Sequence, residues 1–137
     1  MKLSKDQRDQ IKSMFGGHCA YCGVVLGDKW HADHVIAIRR DSEFVPAPKD
    51  SPYTHVSRTT GTCANPELDC IENMMPSCSP CNLYKGGNTL EGWREQLQEL
   101  NRKLNDYSKH FRFAKLFGLV QETERPIVFY FEIGQRR

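Results

Sequence analysis

Residues 78–86 read Cys78-Ser79-Pro80-Cys81-Asn82-Leu83-Tyr84-Lys85-Gly86, and the rest of the chain is organised around them. A Cys-x-x-Cys pair holds a metal only when a second pair closes the tetrahedron, and Cys19-Ala20-Tyr21-Cys22 supplies one. Thiolates at Cys19, Cys22, Cys78 and Cys81 make a closed tetrahedral zinc site without an open position for water, hence a structural one. A simple zinc ribbon separates its pairs by about 15 to 20 residues. Here residues 23–77 intervene, so other elements lie between the two halves of the site. His18, beside Cys19, is a substitute ligand. Cys63 and Cys70 read as free loop thiols, because no further Cys or His pair accompanies them.

A chain of 137 residues fits one domain, and 39% hydrophobic content supports a thin core once a long insertion is set aside. Structural zinc offsets that deficit, contributing roughly 10 to 16 kcal/mol of apparent binding energy to folding. No run of about 18 apolar residues exists, so a membrane partner is not expected. The start Met1-Lys2-Leu3-Ser4-Lys5-Asp6 lacks the apolar stretch of a signal peptide. Paired Cys-x-x-Cys motifs behind such a start point to reduced thiolates and a cytoplasmic location. The net charge of +2 says little, but residues 102–115 hold five Lys or Arg against one acid, Asp106. Such a local field suits phosphate.

Along the chain, Ser4 and Gln7 form a capping-box pattern that predicts a helix over 5–15, stopped by Gly16-Gly17. Its apolar stripe of Ile11, Met14 and Phe15 is short, which places it at the domain edge. Val24-Val25-Leu26 and residues 30–38, separated by Gly27-Asp28, predict a small β-hairpin. Residues 39–70 contain Pro46, Pro48, Pro52 and Pro66 and show no period, so they read as an inserted loop that contacts substrate. Leu90, Trp93, Leu97, Leu100, Leu104, Tyr107, Phe111 and Ala114 recur at spacings of three and four, predicting one long amphipathic helix or two consecutive ones. Ile127 to Ile133, after Pro126, predicts a final strand. That strand joins the small sheet or, like the helices, mediates a homodimer. The fold class expected is α+β.

Cleaving a phosphodiester requires an activated water, a cation at the scissile phosphate and stabilisation of the leaving oxygen. Asp33, His34 and Asn82 are suited to this: a carboxylate and an amide oxygen are hard ligands for Mg²⁺ or Mn²⁺, and a neutral imidazole is a general base. Adjacent residues on a regular strand face opposite sides, so Asp33 and His34 share a site only where the strand ends or twists. On strict alternation His31 pairs with Asp33, and His31 stays a candidate.

Taken together, Cys19-x-x-Cys22, Asp33-His34 and Asn73-Met-Met-Pro76-x-Cys78-x-x-Cys81-Asn82-x-x-Lys85-Gly86 resemble the HNH endonuclease family, also called ββα-metal or His-Me finger nucleases. With Asn at the third motif position, the chain resembles the HNN variant of phage junction-resolving endonucleases and CRISPR nuclease domains. The resemblance implies a single nuclease domain over residues 1–137, with a ββα-metal core over 15–90 and a helical extension and strand over 89–134. It implies His34 as general base, Asp33 and Asn82 as holders of one catalytic Mg²⁺ or Mn²⁺, and Asn73 as a brace beside the catalytic strand. The family often follows Asp-His with Pro and a Gly-Gly turn, whereas Val35-Ile-Ala-Ile-Arg39-Arg40 runs into the insertion. DNA is the implied partner, with Lys85, Arg39, Arg40, Arg102, Lys103, Lys109, Arg112 and Lys115 as backbone contacts. Phage or mobile-element partner proteins in a bacterial host cell follow from the same likeness. A non-catalytic zinc-knuckle DNA-binding module is the alternative, and a protein-interaction zinc finger the third reading.

Overall fold

The computed structural model describes residues 1–134 as a mixed α+β chain with two separate two-stranded sheets, and the three residues beyond lie outside the description. Helix α1 (Lys5–Ser13) starts as the capping box predicts: the Ser4 hydroxyl accepts from the Gln7 amide and the Gln7 side chain accepts from the Ser4 amide. It stops two residues earlier than expected, and Gly16 and Gly17 take the left-handed conformation just beyond. Ile11 is its one buried residue, in keeping with an edge position.

Strand β1 (His31–His34) is part of an antiparallel pair, but its partner is not the Val24–Leu26 segment. Val25 forms only an isolated bridge with His18. The true partner is β4 (Met74–Ser77), reached across the whole insertion, with Asp33 opposite Met75 and His34 opposite Met74. Sequence locality favoured the nearer segment, yet β4 carries buried Met74, Pro76 and Ser77, so the distant pairing encloses the core. Helix α2 (Ser79–Lys85) follows β4 directly, with Pro80 in its first turn, and packs on β1.

The insertion is not an unstructured loop. Strands β2 (Arg40–Pro46) and β3 (His55–Cys63) pair antiparallel, Arg40 opposite Cys63 and Pro46 opposite His55. Both strands are exposed along most of their length, so they lack the alternation that would have marked them. The hairpin is tied at its base by Asn65, whose side chain accepts from the Arg39 amide and donates to the Ala37 carbonyl. Two 3₁₀ turns, Pro66–Leu68 and Ile71–Asn73, lead back into β4.

The C-terminal amphipathic run forms three helices rather than one or two: α3 (Leu90–Gln98), α4 (Leu100–Tyr107) and α5 (Lys109–Leu116). Thr89 caps α3 and Ser108 caps α5 through hydroxyls that accept from Gly92 and Phe111 amides. Leu104, Tyr107, Phe113, Leu116 and Phe117 are exposed.

The expected final strand is absent among the described residues. The chain is irregular up to Phe129 and then makes one helical turn, α6 (Tyr130–Ile133). Aromatic packing overrides β propensity there. Phe129 stacks on Trp93 with ring centroids 5.2 Å apart and meets Tyr21 edge-on at 5.7 Å. Arg94 clamps the segment, donating to the Ile127 carbonyl at 2.7 Å and pairing with Glu132, with its guanidinium over the Phe129 ring. Trp93, Phe129, Ile11 and Tyr21 make the centre of a small core, each contributing about 1.5 to 3 kcal/mol by burial. The strand-mediated route to a homodimer therefore loses its strand. No helix among the described residues is long and apolar enough to cross a membrane.

Candidate metal centre and candidate active site

The two Cys-x-x-Cys segments meet. Gly23, at φ 78°, turns the chain so that its amide donates to the Cys19 carbonyl at 3.0 Å. A Cβ on Gly23 would lie 2.6 Å from the Tyr130 ring, so conformation and space both demand glycine. Ala20 donates to the Pro76 carbonyl at 2.8 Å, which fastens this knuckle to β4 and brings it beside Cys78 and Cys81.

The sulfurs of Cys19, Cys22, Cys78 and Cys81 all lie within 4.8 Å of one another, with Cys22 and Cys78 3.7 Å apart. Zn–S bonds of about 2.3 Å in a tetrahedron put neighbouring sulfurs about 3.8 Å apart, so the cluster can hold a metal ion such as zinc. Without metal the thiols share their protons unequally. The Cys19 thiol is drawn down to about 4, first by a hydrogen bond from Cys81 and then by main-chain amides of Cys22, Cys78 and Tyr21. Cys81 is pushed far above the ordinary thiol range by that same pairing and by burial, and burial also raises Cys22. A divalent cation would displace those protons and leave the thiolates that soft metals bind. His18 is not among the clustered ligands: its Nδ1 faces the Phe15 and Gly16 carbonyls and its ring stacks on Tyr130. Cys63 and Cys70 are free thiols outside the cluster.

Strand alternation governs the Asp-His pair. Asp33 is buried, and its Oδ2 accepts the Tyr21 hydroxyl at 2.5 Å and meets the Lys85 ammonium at 3.0 Å. Burial and the Asp33 carboxylate push Tyr21 well above the usual phenol range, so it remains a donor. Lys85 is 0% exposed and also donates to the His34 carbonyl at 2.8 Å. This corrects its assignment as a DNA contact: a fully buried lysine at the end of α2, its charge already neutralised by Asp33, does not reach a phosphate. His31 faces α2 as well, at 3.0 Å from the Ser79 hydroxyl, and therefore does not pair with Asp33.

His34 looks elsewhere. Its Nε2 lies 2.9 Å from Asp69 Oδ1, a residue of the insertion that sequence reasoning missed. Nothing in the sequence marks Asp69 among the many Asp, Ser and Thr of its loop. Asn73 is what joins the two: Oδ1 accepts from the Ile36 amide, and Nδ2 donates to the Ile36 and Leu68 carbonyls, at 2.8 to 2.9 Å. Ile36 follows His34 by two residues and Leu68 precedes Asp69, so one buried amide positions both segments.

His34 opens onto a cavity of about 340 Å³ lined by Lys2, Arg8 and Arg40, with the Asp69 carboxylate beside it bonded to His34 and to the Met1 amino group. Lys2 and Arg8 were also missed, because the N-terminal helix was legible only as packing. Arg8 is held with its guanidinium 4.4 Å above the Trp30 ring. A larger apolar cavity of about 680 Å³, lined by Tyr21, Tyr84, Trp93 and Phe129, lies away from His34.

The expected basic cluster at 102–115 is largely spent within the fold. Arg102 pairs with Glu99 and Asp106, Arg112 donates to the Asn105 and Asp106 carbonyls at the end of α4, and Lys115 holds Asn105 and Glu122. Lys103 and Lys109 are exposed, as is Arg39. Asn82 is half-buried on α2, and its side-chain amide takes no hydrogen bond among the described residues. Compared with known protein families, with curated proteins and with solved structures, the chain matches none.

Proposed function

We propose that the chain is a DNA endonuclease of the HNH type, in its HNN variant, hydrolysing phosphodiester bonds with His34 as general base. The observation that carries this reading is an imidazole anchored by the Asp69 carboxylate at the end of β1, opening onto a cavity lined by Lys2, Arg8 and Arg40. A cationic cavity takes an anion, and a nearby base supplies the proton acceptor that water needs to attack phosphorus. The order β1, β4, α2 with a four-cysteine cluster supports a ββα-metal core in which zinc is structural.

A catalytic divalent cation at Asp33 and Asn82 is part of this reading, although the Asp33 charge is already paired with Lys85. Both partners of Asp33 sit on Oδ2, which leaves Oδ1, and the Asn82 amide is uncommitted. One hard carboxylate oxygen and one amide oxygen suit Mg²⁺ or Mn²⁺, which keep several waters and share phosphate oxygens. When bound, that cation neutralises charge developing at phosphorus. Tyr21 and Lys85 orient the Asp33 carboxylate, His34 accepts the proton, and Arg8 and Arg40 hold the anionic strand.

Supercoiled plasmid incubated with the purified protein and Mg²⁺ or Mn²⁺ should be nicked or linearised. His34→Ala should lower that rate by about 10² to 10⁴ while the fold and metal content persist. Undiminished cleavage by pure His34→Ala protein would sink the proposal. DNA binding with no cleavage in any divalent ion would indicate the non-catalytic zinc-knuckle module instead.

A further inference from the structure

We propose that Asp69 is a positioning residue that fixes the His34 ring in the tautomer protonated at Nε2, so that Nδ1 is the nitrogen that takes the proton from water. The proposal deepens the nuclease reading and rests on it for the word "base", but the tautomer itself is a property of the folded chain.

The chemistry is decided by the acceptor. Asp69 Oδ1 lies 2.9 Å from His34 Nε2. An ionised carboxylate has no hydrogen to give, so the hydrogen in that bond belongs to Nε2. Asp69 is kept ionised: a hydrogen bond from the Met1 ammonium to its other oxygen, and then the one from His34, hold its carboxyl below the usual range. The neutral ring therefore carries its lone pair on Nδ1. The reverse tautomer would set a bare nitrogen lone pair against a carboxylate oxygen at hydrogen-bonding distance.

The dyad is braced rather than incidental. Both side chains are mostly buried, at 15% and 17% exposure, which strengthens the bond relative to one in open water. Asp69 follows a 3₁₀ turn that its own amide closes on the Pro66 carbonyl at 3.1 Å. Asn73 then ties the flanking Leu68 to Ile36, so the donor and the acceptor cannot drift independently. A base presented in the wrong tautomer forfeits part of the roughly 10² to 10⁴ that general-base catalysis supplies.

The test is nitrogen-15 NMR of the zinc-loaded chain without Mg²⁺, at a pH where His34 is neutral. The two ring nitrogens are told apart by their long-range proton couplings. The expected result is a His34 ring protonated at Nε2 in the parent protein and in Asp69→Asn, whose amide oxygen still accepts. Asp69→Ala should give a mixture of tautomers, with plasmid cleavage reduced by up to about 10²-fold. A parent His34 protonated at Nδ1 overturns the proposal without recourse to any variant, and so does an unchanged tautomer in folded Asp69→Ala. An Nε2-protonated ring in a protein that never cuts DNA would uphold the dyad and refute the nuclease reading, which keeps the two failures apart.

Discussion

Lys85 and Asp33 form an ion pair 3.0 Å long in which the lysine is completely buried, and that pair joins α2 to β1 beneath the candidate site. Charges taken out of water are tolerated only together, so removing either one strands the other. Lys85→Ala should cost about 3 to 5 kcal/mol in urea unfolding, with Asp33→Asn also strongly destabilising. The double change Asp33→Asn with Lys85→Met should recover much of the loss, because an apolar isostere needs no counter-charge. Single variants as stable as the parent would show that the pair does not hold the two elements together.

Metal removal should act on the whole domain. The core centres on Trp93, Phe129, Ile11 and Tyr21, and the sulfur cluster lies directly against it through Cys19. A tight zinc chelator should therefore abolish the cooperative thermal transition and the near-ultraviolet signal of the Tyr21–Trp93–Phe129 cluster together. Cys81→Ser should mimic the chelator. Retention of a sharp transition by metal-free protein would mean that the core suffices alone.

Acid should loosen the insertion first. The folded-state carboxyl of Asp69 is held below its ordinary value, so its stabilising contribution is complete above about pH 4 and is lost as pH falls through the lower folded value. Urea midpoints should decline over that acid range, and Asp69→Asn should flatten this part of the decline. An identical acid slope in the variant would show that Asp69 titrates as it does in the unfolded chain.

What could be read from the residues, and what could not, follows from how local each signal is. The four cysteines were legible because ligand spacing survives any loop placed between the pairs, and α1 because a capping box spans four residues. The β1 partner was not, since β4 lies some forty residues on and no short-range pattern encodes that pairing. The β2–β3 hairpin escaped because both its faces meet water and alternation vanishes. Ile127 to Ile133 looked like a strand for the composition that lets it pack on Trp93 instead. His34, Asn73 and Asn82 were nameable as types in order, but no hydrogen bond among the described residues joins the Asn82 side chain to the other two, while Asp69, Lys2 and Arg8 became visible only when distant segments came together. Lys85 was named with the wrong job, because burial is not written in a single lysine.

Tyr21 lies between two of the cluster sulfurs in sequence and gives its hydroxyl hydrogen to Asp33. That bond ties the packing of the first Cys-x-x-Cys segment to the position of the Asp33 carboxylate on β1. Loss of the metal should thus disturb Asp33 on the neighbouring strand as well as the aromatic core.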